Sequence, residues 1–289
     1  MDVRYLIDRA VRQFRSRRAV IEPEREDTTF EQLNERANCL ANGLLSLGLN
    51  KGDRVAVLLP NCREYLEAYM ALAKAGLVRV TLNTRLSPRE HAYILRDSDA
   101  RAIIVAGDFS DSITSLKSEV NELQWTITLG SAKGDEISYE KLLAASNSAE
   151  VLIPLKPNDV FRLHYTSGTT GRPKGAIQTH ASRVVTTLNT LLDVVNFTPD
   201  DKVIHVAPLT HASGNLFLPS FIRGAINVPL RIFDPRLFLE TVQNERITAV
   251  FLAPTMIVRL INFPKLLQYD LSHLHTIIYG GAPMPEEKL

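Results

Sequence analysis

The stretch Tyr165-Thr-Ser-Gly-Thr-Thr-Gly-Arg-Pro-Lys-Gly-Ala176 carries the densest chemistry in the chain. Four hydroxyl side chains, two glycines and a lysine fall between Thr166 and Lys174. Gly168 and Gly171 let the backbone turn its N–H groups toward a ligand without side-chain obstruction. Thr166, Ser167, Thr169 and Thr170 can donate to phosphate oxygens, and Lys174 adds a compact positive charge. Such a loop can wrap a triphosphate. An ordinary flexible loop has the same composition, and composition alone does not separate the two.

Spacing excludes one familiar phosphate loop, G-x-x-x-x-G-K-[ST]. Counted from Gly168, Lys174 has the right offset. However, Pro173 stands where the second glycine belongs, and Gly175 replaces the Ser or Thr that would hold magnesium.

The elements around this stretch alternate between strand and helix. Val160-Phe-Arg-Leu-His-Tyr165 reads as the strand that delivers it, and His180 as the start of a following helix over 181–195. Upstream, Thr28-Thr-Phe-Glu31 reads as a capping box, with Leu33, Ala37, Leu40 and Leu44 recurring at helical spacing until Gly48. Arg54–Pro60 is a buried-strand pattern, and Asn61 is placed to cap a helix running to Ala75. Val78–Leu82 and Arg101–Val105 read as strands, with a second capping box at Ser87-Pro-Arg-Glu90 between them. Further strands are predicted over 126–129, 203–206, 225–228, 249–252 and 276–279, and helices over 235–245 and 254–262. Pro285-Glu-Glu reads as the start of one more helix. The alternation predicts an α/β protein with mostly parallel sheets covered by helices. The Ser-, Asn- and Pro-containing run Ala144–Asn158 reads as a surface loop in preference to a linker.

The order of residues in Tyr165–Gly175 closely resembles the signature phosphate loop of the adenylate-forming superfamily, which includes acyl- and aryl-CoA synthetases, adenylation domains of peptide synthetases and luciferases. Pro208-Leu-Thr-His211-Ala-Ser-Gly214 resembles that family's Pro-Leu-x-His-x-x-Gly segment, and Tyr279-Gly-Gly-Ala-Pro283 its Gly-Gly-Ala turn. Asn83-Thr-Arg85 and Gly48–Arg54 resemble its N-terminal region. The resemblance spans the chain but only the front of a family member. It implies a layered αβαβα arrangement, with sublobes of roughly 46–195 and of 1–45 plus 196–289.

The resemblance also implies a two-step reaction. A carboxylate attacks the α-phosphate of ATP to give an acyl-adenylate, and coenzyme A then displaces AMP as a thioester forms. Thr166, Ser167, Gly168, Thr169, Thr170, Gly171 and Lys174 are expected to hold the phosphates. His211 is expected beside the acyl carboxylate as the catalytic residue, and Gly280, Gly281, Ala282 and Pro283 beside the adenine and acyl pocket. A core or loop role for His211, and a plain turn for the two glycines, are the alternatives. No acid stands between Leu209 and Ser213 to bind an α-ammonium, so a free amino acid is not the expected substrate. Leu216, Phe217, Leu218, Phe221 and Ile222 suit a fatty or aryl acid, and they equally suit an ordinary core.

Family segments expected after Gly281 do not occur in these 289 residues: Tyr-Gly-x-Thr-Glu, whose acid serves Mg2+, Thr-Gly-Asp, which anchors the ribose, and the lid domain with its catalytic lysine. Lys133-Gly-Asp135 lies upstream of the phosphate loop and cannot replace the ribose anchor. The chain is therefore expected to be a truncated front portion, without a C-terminal lid and not competent alone. A naturally short, non-catalytic remnant that binds nucleotide or a partner is the alternative. No protein ligand set for a metal is expected.

Composition agrees with a small-molecule enzyme. The net charge is +1 and 45% of residues are apolar, which argues against a dedicated nucleic-acid binder or a polybasic anchor. Cys39 and Cys62 match no disulfide framework or zinc pattern and are read as free thiols. The uncharged run Val203–Ile222 is broken by Pro208, His211, Asn215 and Pro219, so it reads as core and not as a membrane span. A cytoplasmic location is expected, and the sequence sets no oligomeric state.

Overall fold

The computed structural model describes residues 1–166 and 173–284. The chain divides into two compact units. The first comprises residues 1–8, 31–60 and 64–186, the second residues 9–30, 61–63 and 187–289. The strands in chain order are β1 (Arg18–Val20), β2 (Thr28–Thr29), β3 (Arg54–Leu58), β4 (Val78–Thr81), β5 (Ala100–Ala106), β6 (Trp125–Leu129), β7 (Ile137–Ser138), β8 (Val160–Thr166), β9 (Lys174–Thr179), β10 (Lys202–His205), β11 (Ile226–Pro229), β12 (Ala249–Leu252) and β13 (Thr276–Tyr279).

The first unit holds a seven-stranded sheet in the order β7-β6-β5-β3-β4-β8-β9. It is parallel except for β9, which runs antiparallel to β8. In β3 and β5, Val55–Leu58 and Ala102–Ala106 read as unbroken apolar runs because helices cover a parallel sheet on both faces. Ala56, Leu58, Val80, Leu82, Ile103 and Val105 meet Ile94, Leu95 and Ile113 in one core. The helix Pro88–Asp97 starts as predicted: Ser87 N donates to Glu90 Oε2 at 2.8 Å, and Ser87 Oγ accepts from Glu90 N at 3.4 Å.

The second unit holds a six-stranded sheet in the order β13-β12-β10-β11-β1-β2, parallel except for the β1–β2 pair. Val203, Ile204, Val228, Val250 and Leu252 pack there against Phe238, Leu239 and Val242 of the helix Pro235–Glu245. Asp234 caps that helix, accepting from Leu237 N at 3.0 Å.

The division differs from the expected sublobes at four places, one of them residues 61–63, which go with the second unit. Residues 31–45 belong to the first unit, because Arg36 pairs there with Glu67 at 2.6 Å and with Glu140 at 2.7 Å, and Asn38 donates to Ser148 O. Residues 1–8 join it too, with Asp8 on the buried Lys74 at 2.6 Å. Residues 187–195 go with the second unit, where Leu191 and Val195 pack on its core.

Two predicted caps take other roles. The helix Phe30–Ser46 starts after Thr28 and Thr29, which form β2, and the Thr28 hydroxyl accepts from Arg63 at 3.1 Å. The next helix runs Arg63–Ala75, and Asn61 before it is engaged elsewhere. The run 145–159 is a loop of the first unit, held by Arg4 on the Val151 and Ile153 carbonyls and by Asn42 on those of Asn147 and Ala149. The helix read at Pro285 lies outside the described residues. Cys39 and Cys62 form no disulfide. No helix among the described residues is long and apolar enough to cross a membrane, and the run Val203–Ile222 contains part of β10 and the helix Gly214–Ile222.

Candidate functional site

In the first unit the phosphate-loop motif sits on a β-hairpin frame. Thr166 ends β8, Lys174 opens β9, and the two are register partners across the antiparallel pair. The frame is anchored below by Tyr165, whose Oη donates to Asp97 Oδ2 at 2.5 Å. Burial, reinforced by that carboxylate, pushes the Tyr165 phenol above its ordinary range. Thr166 and Lys174 are both exposed. The strand after the motif, in place of a helix, separates this site from the G-x-x-x-x-G-K-[ST] type, in which a helix follows directly. His180 begins the helix His180–Asn189 as read from the sequence. Ser167, Gly168, Thr169, Thr170 and Gly171 lie outside the described residues.

In the second unit, His211 and the Gly280–Pro283 turn emerge at the same edge of one sheet. His211 follows β10 and Gly280 follows β13, and both strands run parallel to β12 between them. Ligands of open parallel sheets bind outside the carboxyl ends of the strands, which is this edge. Gly281 has φ +87°, a left-handed conformation that glycine adopts without a Cβ penalty. Its neighbours Ala282 and Pro283 continue the turn.

The His211 loop is clamped by polar groups far away in the sequence. Asn61 Nδ2 donates to the carbonyls of His205 at 2.9 Å and Ala207 at 3.0 Å, and Asn61 Oδ1 accepts from Leu209 N at 2.8 Å. His205 is fully buried in β10, with Nδ1 3.0 Å from Ser213 Oγ and Nε2 2.8 Å from Asn227 Oδ1. An amide oxygen only accepts, so Nε2 carries the proton and Nδ1 accepts from Ser213. Ser220 Oγ also donates to Asn227 Oδ1, at 2.7 Å. Burial pushes the His205 pKa down to about 4, against the hydrogen bonds to the Asn227 side chain and the Ser213 backbone. The loop closes on Gly214, where a Cβ would lie 1.9 Å from the Leu209 carbonyl oxygen. His211 sits in the turn between these anchors, its N–H on the Pro208 carbonyl at 3.0 Å.

Sequence reasoning missed Asn61, His205, Ser213 and Asn227. The signal was a polar residue inside each of two apolar strand runs, Val203-Ile-His-Val206 and Ala225-Ile-Asn-Val228. Among the described residues no three His, Cys, Asp or Glu side chains converge to hold a metal ion.

Two α/β units, each built on a mostly parallel sheet, define the class of fold. The chain belongs to the family described as AMP-binding enzyme, whose profile matches residues 7–289. It is 36% identical over 261 residues to a feruloyl-CoA synthase of Amycolatopsis sp, covering 90% of this chain and 50% of the relative. Its fold is similar to the anthranilate CoA ligase AuaEII solved with anthranoyl-AMP, at TM-score 0.93 and 26% identity, covering 99% of this chain and 56% of that one. It is also similar to ATP-bound MatB from Rhodopseudomonas palustris, at TM-score 0.85 and 30% identity, covering 100% and 56%. The chain thus spans about half the length of the curated relatives it matches.

Proposed function

We propose that this chain is part of an acid–thiol ligase that activates a carboxylic acid with ATP and passes the acyl group to coenzyme A. The observation that carries the reading is the hairpin frame, which sets Thr166 and Lys174 opposite each other at the two ends of the phosphate motif. In this role the Lys174 ammonium and the motif hydroxyls neutralise charge on the departing pyrophosphate, which is electrostatic positioning with no covalent step. His211 is held ready at the strand ends beside the acid, and the Gly280–Pro283 turn borders the nucleotide base. Coenzyme A supplies the thiol that displaces AMP.

We infer an aryl or fatty acid as substrate, because the segment from Leu209 to Ser213 offers no carboxylate to an ammonium group. The relatives include both classes: a feruloyl-CoA synthase and an anthranilate CoA ligase on one side, and a long-chain-fatty-acid–CoA ligase of Mycobacterium tuberculosis on the other. On this reading the 289 residues bind nucleotide and do not complete turnover alone, since the ribose anchor and the lid lysine of the family are not among them.

The test has two arms. Carboxylate-dependent ATP–pyrophosphate exchange by the native gene product is measured with ferulate, anthranilate and a series of fatty acids. ATP binding to the 289-residue chain is measured by calorimetry, for wild type and Lys174→Ala. Exchange is expected with at least one acid, and Lys174→Ala is expected to weaken ATP binding by about tenfold, a loss of about 1.4 kcal/mol. Exchange with no acid in the series, or equal ATP affinity in the two chains, refutes the reading.

A further inference from the structure

The first unit buries a cluster of arginines that the proposed activity leaves unused. Arg79 of β4 and Arg162 of β8 are register partners on adjacent parallel strands, so their side chains leave the same face of the sheet. Arg183 reaches them from the helix His180–Asn189. Their exposures are 2%, 9% and 1%. The Arg79 guanidinium lies 4.1 Å from the Tyr69 ring centroid, 5.2 Å from that of Phe161 and 5.8 Å from that of Tyr65. Arg183 Nε donates to Tyr69 Oη at 2.9 Å.

Aromatic faces offset part of the cost of burying a cation, but they bring no net charge. Neither Arg79 nor Arg162 is ion-paired with a described residue, and Nε and Nη1 of Arg79 and Nε of Arg162 are buried without a hydrogen-bond partner among the described residues. Glu67, the fully buried acid on the helix that supplies both tyrosines, is taken by Arg36 and Tyr139. Burial and the neighbouring guanidiniums lower the Arg162 pKa to about 10, so it stays charged at neutral pH. Buried like charges that keep their protons call for a counter-charge.

We propose that the Arg79–Arg162–Arg183 cluster binds a small inorganic anion of halide size, with the unpartnered N–H groups of Arg79 and Arg162 as its donors. The inference is independent of the ligase reading.

The test uses the wild-type chain. Crystals soaked in bromide are expected to show an anomalous peak within hydrogen-bonding reach of Arg79 and Arg162. In solution, chloride is compared with gluconate at equal ionic strength. Chloride at tenfold its dissociation constant is expected to raise Tm by on the order of 3 °C, and sulfate is expected to do less. Arg162→Met removes a donor and one of the repelling charges, and is expected to abolish the chloride dependence. No bromide peak at the cluster, or a chloride effect unchanged in Arg162→Met, overturns the proposal. The crystal experiment decides by itself if the variant does not fold.

Discussion

The buried His205 makes the second unit sensitive to acid. Its pKa is about 4 in the folded protein, lowered mainly by burial, against an ordinary value of 6.5. A base whose pKa is depressed by folding binds fewer protons in the native state than in the unfolded one. Stability is then full above pH 6.5 and falls with pH through the window between 6.5 and 4. Linkage over those two values gives a loss of about 2 kcal/mol by pH 5 and about 3 kcal/mol by pH 4, relative to pH 8. His91 and His180 are also held below the ordinary range by burial, and they titrate in the same sense. The wild-type curve alone therefore does not isolate His205.

The perturbation is His205→Gln, a residue that can still bond Ser213 and Asn227 and does not titrate. Urea unfolding is followed by far-UV circular dichroism from pH 8 to 4, because the single tryptophan, Trp125, belongs to the other unit. The variant is expected to be less stable than wild type at pH 8, and the gap is expected to narrow by about 2 kcal/mol at pH 5. In parallel, the imidazole signal of His205 should show no titration step above pH 5. A parallel pair of stability curves, or a His205 titration near 6.5, refutes the reasoning.

Asn61→Ala deletes three hydrogen bonds and leaves Leu209 N without its side-chain acceptor, so it should cost roughly 2–4 kcal/mol in urea unfolding. A loss below about 0.5 kcal/mol would mean that the clamp is not formed. Gly214→Ala drives a Cβ into the Leu209 carbonyl, and because backbone must move, it should cost on the order of 3 kcal/mol or yield insoluble protein. Normal expression with an unchanged Tm would contradict that close approach. Asp234→Ala removes one N-cap acceptor and should cost about 1 kcal/mol, while Asp234→Asn should recover most of it in the same assay.

What was legible in the sequence was written in adjacent residues. β12 and β13 and the helix Pro235–Glu245 fall where the sequence places them, because each combines an apolar run with a local boundary such as Asp234-Pro235. β9 was not legible. It is an edge strand with Ile177 68% exposed, so it carries no buried alternation, and its pairing depends on β8 before it. The first helix, Val3–Phe14, does bury Val3, Leu6, Ile7, Ala10 and Phe14 at helical spacing, but charges around that face mask the pattern and no cap announces it.

The same division runs through the candidate site. The residues proposed to meet a ligand sit in short motifs, so their types and order can be read directly. The residues that hold those motifs in place do not. Asn61 has the composition and position of a helix cap, and it acts instead on carbonyls 144 and 146 residues further along. Thr28 likewise looks like a cap and serves Arg63. Asn61, able to satisfy a local backbone group, satisfies distant ones instead, because those groups are buried and cost more to leave unpaired. A polar residue in a cap position next to a buried strand is thus ambiguous by its chemistry, and an isolated His or Asn inside an apolar strand resolves the ambiguity. It marks where the core needs a partner, as His205 and Asn227 do beneath the His211 loop.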